Sequence, residues 1–392
     1  MKRGMSPAPN LYNAAFNGDA EGIKKLLGAG ADPNGGSAIG RVPLCAALRT
    51  GNNDAVRLLL DAGAAVNARQ SDGGCALSIA VANGKWEAAE MLMAAGAEYK
   101  TDSAAREIIY MSAYTDNKKI FDFIEKEYGS RFDFSSFLFT AAMYNNYSFI
   151  ERFACYSSNI DMESETGGSV RTALHCAVSR GHAETVQTLL ELGADVNRKG
   201  CGHDLPIVLA VFSGSCKTLE IVADHGADIN TYSKSGFTAL EAAIYRENSY
   251  MVKFLIGRGA DPNLASFDGT PLTDAIIRTG SFKSNEICRL LLNAGADVNA
   301  SAEQGGEKNT PLHVAARKGK INIMELLIKK GGSLYTKNSL NRYPLDILKE
   351  IYPDKYENHA ENLRQLAEKE SGRRLKLEDS RAAVHTGYEF DI

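Results

Sequence analysis

Along Thr172–Asn197, TALHCAVSRGHAETVQTLLELGADVN, apolar residues return every third or fourth position. That period lays one apolar stripe along a helix. Leu174, Ala177 and Val178 form the stripe of a short helix. Thr172 can cap it by accepting hydrogen bonds from free backbone N–H groups of the first turn. Gly181 breaks this helix. A second follows, with Val186, Leu189 and Leu190 inward and Glu184, Gln187 and Glu191 outward. Gly193 ends it in the left-handed geometry that glycine tolerates. Neither helix exceeds about ten residues, and isolated helices below ~12–15 residues are marginal in water. Such a unit must stack on copies of itself.

The copies are present. The opening recurs as VPLC at Val42–Cys45, CALS at Cys75–Ser78, LPIV at Leu205–Val208 and TALE at Thr238–Glu241. It continues as TPLT at Thr270–Thr273, TPLH at Thr310–His313 and YPLD at Tyr343–Asp346. Proline one residue past the cap costs nothing, because its fixed φ fits and its missing N–H needs no partner there. Most copies close with Gly-Ala-Asp-x-Asn, as at Gly30–Asn34, Gly193–Asn197, Gly226–Asn230, Gly259–Asn263 and Gly295–Asn299. This pattern resembles the ankyrin-repeat family, whose signature is TPLHxA on two antiparallel helices with a protruding β-turn. The resemblance covers roughly residues 8–348, as ten or eleven repeats. It implies an all-α solenoid of helix–turn–helix units with β-turn fingers.

Between about 100 and 160 the glycine-rich endings disappear while the helical rhythm persists through Ile108, Ile109, Ile120, Ile124, Leu138 and Ile150. Nearly half of the aromatics fall here. Two readings stand: large rings fill space that small alanines and tight turns left, or the block is a docking face or a bend. Two insertions, Gly280–Asn285 between the helices of one repeat and Ser301–Lys308 in a finger, interrupt the later register. The expected organisation is N-terminal repeats over 1–99, degenerate aromatic-rich repeats over 100–160, further repeats over 161–348, and a helical cap with a tail over 349–392. In the last part a short helix is expected at about His359–Lys369, with a mobile or strapped-back tail from Ser371.

Composition narrows the classes. A net charge of −4 argues against a generally basic nucleic-acid binder, though not against a local basic surface. Seven scattered cysteines without CxxC pairing point to reduced thiols and a cytoplasmic setting. No Sec-type leader and no membrane span is expected. Phosphate-loop, HExxH and G-x-S-x-G patterns are lacking, so no enzyme activity and no cofactor are expected. Cys201 and His203 are the one Cys/His couple, and two ligands do not close a zinc site, so no metal is expected. The family resemblance implies that His175 and His313 bond the neighbouring turn backbone.

The resemblance also implies that the first helices line a concave face, with the residues before each mid-repeat glycine pointing into it. Carried over, the partner-binding candidates in the first part of the chain are Arg49, Tyr114, Met143, Tyr144, Arg171 and Arg180. Phe212, Phe237, Tyr245, Arg246, Arg278, Arg317 and Lys318 follow. Tyrosine and arginine are enriched at interface hot spots, and arginine's fork suits carboxylates. The bland alternative is a solvated charged face. The expected function is non-catalytic binding of a protein with an acidic or aromatic–acidic surface in a basic, aromatic groove, as an inhibitor or neutraliser. Recruitment as a scaffold or adaptor is the first alternative, and polyanion or nucleic-acid binding along the basic stripe the second. A monomer is expected when no partner is bound.

Overall fold

A computed structural model describes residues 10–35, 42–69, 74–166, 169–200, 205–233, 236–266, 269–278, 281–304 and 306–386. The chain divides into two compact units, Met1–Asp195 and Val196–Ile392. The aromatic-rich segment lies wholly inside the first. Each unit is a stack of helix pairs.

In the first unit the first helices of the pairs are α1 (Leu11–Asn17), α3 (Pro43–Thr50), α5 (Ala76–Ala82), α7 (Asp102–Ser112), α9 (Ser135–Met143) and α11 (Ala173–Arg180). Their partners are α2 (Ala20–Gly28), α4 (Asn53–Asp61), α6 (Trp86–Ala94), α8 (Lys118–Tyr128), α10 (Tyr147–Phe153) and α12 (Ala183–Glu191). In the second unit α13 (Pro206–Ser213), α15 (Ala239–Tyr245), α17 (Pro271–Arg278), α19 (Pro311–Arg317) and α21 (Pro344–Ile351) come first in their pairs. They are followed by α14 (Cys216–Asp224), α16 (Ser249–Gly257), α18 (Ser281–Asn293), α20 (Ile321–Lys329) and α22 (Pro353–Thr386). Within each unit every first helix packs on the first helix of the next pair. Eleven pairs thus stand among the described residues, and the fold class is all-α. Besides a 3-10 turn at Ala154–Tyr156 and two isolated bridges, two short hairpins stand among the described residues, β1–β2 (Ser164–Thr166, Ser169–Arg171) and β3–β4 (Ala302–Gln304, Glu307–Asn309), both in fingers.

The repeat opening works as its chemistry requires. Thr172 caps α11 through its hydroxyl, which accepts from the His175 N–H. Thr238 and Glu241 form a reciprocal capping box on α15, satisfying two otherwise orphan donors. Proline heads α3, α13, α17, α19 and α21. His313 uses both ring nitrogens: Nδ1 lies 2.7 Å from Thr310 Oγ1 and Nε2 3.0 Å from the Arg342 carbonyl in the next finger. His175 Nδ1 lies 2.8 Å from Thr172 Oγ1.

The closing motif is an intermolecular-style clasp made within one chain. Asp261 Oδ1 accepts from the Asn263 N–H at 2.8 Å, fixing the turn. Asn263 then reaches forward: Nδ2 donates to the Gly295 carbonyl at 3.0 Å, and Oδ1 accepts from the Asp297 N–H at 2.7 Å. Asn34, Asn67, Asn197, Asn230 and Asn299 do the same toward the repeats that follow them. The glycine that opens the motif has φ of +85° to +93° at Gly30, Gly193 and Gly259, a region costly for other residues.

Three expectations change. The inserted residues Ser281–Asn285 are not a loop between helices; they form the first turns of α18, which is lengthened to 13 residues. The C-terminal helix is not a short segment at 359–369. It runs unbroken from Pro353 to Thr386, because the stretch is rich in Glu, Leu, Arg, Gln, Ala and Lys, all strong helix formers, and Gly372 alone does not stop it. Residues from Ser371 to Thr386 are therefore helical. Cys201 and His203 lie outside the described residues.

The buried rings of 100–160 have a packing role. Phe134 stacks on Phe153 at 4.9 Å, Phe149 meets Phe153 at 4.7 Å, and Phe121 meets Phe153 edge-on at 5.6 Å. Phe134, Phe149 and Phe153 have no exposed surface. Tyr110, Tyr144 and Tyr147 are exposed instead, so the block is both a filled core and an aromatic surface.

Candidate functional site

The candidates occupy first-helix ends and fingers in both units. In the first unit Tyr114 lies just past α7 and Tyr144 caps α9. Their rings sit 4.2 Å apart. Tyr114 also donates its hydroxyl to Tyr110 Oη at 3.0 Å, the two being one helical turn apart. Burial, and then hydrogen bonding among these hydroxyls, pushes ionisation of Tyr114 well above the ordinary phenol range. Asn145, with φ of +59°, makes the tight turn that glycine makes elsewhere and sets Tyr144 outward. Met143 is half-buried beside it. Arg49 in the last turn of α3 and Arg180 at the end of α11 are exposed, while Arg171 is half-buried in its finger. Burial raises the pKa of the Cys176 thiol despite the nearby positive charge of Arg180.

In the second unit Phe212, Phe237 and Tyr245 come together. Tyr245 lies 6.4 Å from Phe212 and 6.1 Å from Phe237. Tyr245 is 51% exposed and Phe212 37%. Arg278, delivered from the next repeat, lies over the Tyr245 ring at 5.4 Å. Its Nε is 3.4 Å from Asp274, a buried carboxylate one turn earlier on α17. Asp274 in turn adds its charge to the burial that raises the pKa of Glu241.

The basic character is more local than the arginine pattern suggests. Arg317 pairs with Glu307 of the enlarged finger. Arg342 joins the same Glu307 at 3.5 Å and Glu350 at 2.9 Å. Hydrogen bonding from Asn309, then the two arginines, holds Glu307 below the ordinary carboxylate range despite partial burial. Arg180, Arg246 and Lys318 are exposed, and among the described residues no carboxylate pairs with them. The structure thus gathers the aromatic candidates into two clusters, one per unit, and ties Arg278 and Arg317 to acids of their own chain.

Sequence reasoning missed Tyr110, Glu307 and Asp274 as parts of these clusters. Two had a signal. Tyr110–Tyr114 and Asp274–Arg278 are spaced i,i+4, the separation at which helical side chains meet. Glu307 had none, since it lies in the inserted finger Ser301–Lys308, where no repeat register places its side chain. Among the described residues no group of three or more His, Cys, Asp or Glu side chains is placed to hold a metal ion, and no helix is long and apolar enough to cross a membrane.

Stacked helix pairs, threonine-proline caps and an asparagine clasp between fingers define a repeat scaffold of the kind that mediates protein–protein interaction. The chain belongs to the ankyrin-repeat family: the model for three tandem ankyrin repeats matches residues 11–103, 110–200, 138–233, 200–266 and 240–338. It is similar to protein fem-1 homolog C of Xenopus laevis, 42% identical over 69 residues, which is 18% of this chain and 11% of that protein. It is also similar to an ankyrin repeat and KH domain-containing protein of Caenorhabditis briggsae, 48% identical over 50 residues, 13% of this chain and 2% of that protein. These matches therefore span only a small part of either relative. Among solved structures, an ankyrin repeat domain from Acinetobacter baumannii AYE is 32% identical, with 50% of this chain and 98% of that chain covered and a TM-score of 0.47. The ankyrin repeat domain of Bcl-3, a member of the IkappaB family, is 26% identical, with 54% and 92% covered and a TM-score of 0.48. The family is in general a non-catalytic interaction fold.

Proposed function

We propose that this chain is a non-catalytic binder of one protein partner, held on the first-helix ends and acting as an inhibitor or neutraliser of that partner. The observation that carries the reading is a pair of aromatic clusters that reach solvent: Tyr110 and Tyr144 are exposed around a half-buried Tyr114, and Phe212 and Tyr245 around a half-buried Phe237. Large rings exposed to solvent beside a packed core are the usual anchors of an interface. The exposed cations Arg180, Arg246 and Lys318 suit carboxylates on the partner, so its surface is acidic or mixed aromatic–acidic. Binding along a continuous basic stripe is less well supported, because Arg278, Arg317 and Arg342 already have acidic neighbours. The six described cysteines are free thiols, which fits a reducing, cytoplasmic setting. Recruitment by an adaptor uses the same face and differs only in what else is bound.

The test replaces Phe212 and Tyr245 with alanine, and in a control Tyr250 and Tyr335, which are more exposed and make no ring contact with these clusters. Partners are captured from native lysate and identified by mass spectrometry. The expected result is loss of one specific partner with the first variant only. Equal capture by both, with helicity intact, would sink the proposal.

A further inference from the structure

Tyr245 in the second unit and Tyr114 in the first hold corresponding places, at the end of a first helix before the mid-repeat turn. At Tyr245 the next repeat supplies a cation: the Arg278 guanidinium sits 5.4 Å from the ring centroid, with the Asp274 carboxylate beside it. At Tyr114 the next repeat supplies Tyr144 instead. Among the described residues no lysine or arginine stacks on Tyr114, Tyr144 or Tyr147. A hollow of about 110 Å³ opens there, lined by Tyr114, Tyr144, Tyr147 and Asp116. Asp116 is exposed and is the sole charged residue of that lining.

Aromatic rings and an acidic residue lining one space are complementary to a cation, which ring quadrupoles attract within about 6 Å of a centroid. The neighbouring Asn146 does not compete. Its amide donates to the Ala113 and Thr115 carbonyls at 3.0 and 2.7 Å and accepts from the Phe149 N–H at 3.0 Å. At about 110 Å³ the space is large enough for a planar guanidinium group. Arginine suits it better than lysine, being planar, weakly hydrated and able to stack while its N–H groups reach a carboxylate.

We propose that the tyrosine hollow beside Asp116 receives an arginine side chain of the partner protein. The partner then completes in trans the aromatic–arginine–carboxylate arrangement that the second unit makes within its own chain. This rests on the partner face proposed above and adds a basic contact to a partner otherwise matched to cations.

The test uses the full chain labelled with 3-fluorotyrosine and followed by fluorine NMR, with resonances assigned through Tyr114→Phe, Tyr144→Phe and Tyr147→Phe. It is titrated with N-acetyl-arginine methylamide and with the citrulline analogue, its uncharged isostere. Saturable shifts of these resonances are expected with arginine. Binding at least about fivefold weaker is expected with citrulline, the ratio that ~1 kcal/mol of cation–π attraction gives, and a similar weakening for arginine in Asp116→Asn. An equal response to both compounds, or no saturation below ~0.1 M, would overturn the assignment. Capture assays separate it from the partner reading. Capture that depends on Phe212 and Tyr245 while the hollow ignores arginine removes this contact alone. Capture indifferent to both, with arginine still titrating the hollow, leaves a cation site without the proposed partner face.

Discussion

Regular repeats such as those closing at Asn230 and Asn263 are joined by asparagine, which both donates to and accepts from the next finger. The aromatic-rich repeats put aspartate in that place. Asp133 accepts from the Ser158 N–H at 3.0 Å, and Asp161 accepts from the Asp195 N–H at 3.1 Å. A carboxylate keeps the accepting half of the clasp and cannot supply the donating half. Elsewhere in the block the missing half is replaced by side chains from the following repeat: Tyr128 donates to the Tyr99 carbonyl at 2.6 Å and Arg131 to the Lys100 carbonyl at 3.3 Å. Below them a stack of phenylalanines takes the place of alanines. The two regions therefore join successive repeats by different means. One uses backbone-directed polar bonds at the fingers, the other ring packing in the core.

The comparison predicts where each region is most easily broken. Phe153 touches Phe121, Phe134, Phe149 and Tyr156, so Phe153→Ala should cost ~3–5 kcal/mol. Leu189→Ala in the regular repeat should cost ~2–5 kcal/mol, at the low end if neighbouring small residues close the cavity. Urea unfolding followed by circular dichroism measures both. A Phe153 variant milder than the Leu189 variant would mean that the rings are not what holds the aromatic block.

Much of this architecture was legible before any coordinates. Caps, stripes and closing glycines obey local rules, so TPLH and Gly-Ala-Asp-x-Asn announce helix pairs and fingers. The role of His313 followed from the family pattern. Asp133 and Asp161 were not legible, because the chain offers no glycine-alanine frame there to show that they stand in the asparagine place. Tyr144 and Tyr245, at the ends of first helices, are exposed as that position suggests. The ion pairs were not legible either, since the spacing of the arginines does not reveal that Glu307, in an inserted finger, pairs with both Arg317 and Arg342.

Removing the surviving half of the clasp should cost less than emptying the core. Asp133 also accepts from both the Ser135 N–H and the Ser135 hydroxyl. Despite partial burial, these bonds and those from Ser158 hold its carboxyl far below the ordinary range. Its exposure discounts the electrostatic part, leaving ~1–2 kcal/mol for Asp133→Ala. The stabilisation is present above the ordinary carboxylate range and is lost as pH falls through the depressed folded value. Thermal melts from pH 7 to pH 2 should show a slope in the wild type that Asp133→Asn reduces. Asparagine can also restore the donating half, so this variant should recover more of the neutral-pH stability than alanine does. In the regular region Asn263→Ala removes two bonds near solvent, for ~1 kcal/mol. If Asn263→Ala proved costlier than Asp133→Ala, the fingers of the regular repeats would carry more than the comparison allows.

The smallest effect should be a gain. Glu241 occupies the histidine place of TPLH and is fully buried, with its Oε2 accepting from the Thr238 N–H at 2.9 Å. Burial raises its pKa above the ordinary carboxylate value, and the Asp274 charge adds to that. A carboxyl raised in the folded state binds its proton more tightly there than in the unfolded chain. Its contribution is therefore full below the unfolded value of about 4.3 and is lost as pH rises through the folded value. Glu241→Gln keeps an oxygen for Thr238 and removes the charge beside Asp274. Near pH 7 it should stabilise the second unit by ~0.5–1 kcal/mol, within the range that single favourable changes reach. The difference between variant and wild type should shrink toward zero as pH approaches 4. Melts of both proteins across pH 4 to 8 measure it. A constant difference would mean that Glu241 does not ionise in this range, and a loss at neutral pH would mean that the buried carboxylate is worth more to its cap than it costs beside Asp274.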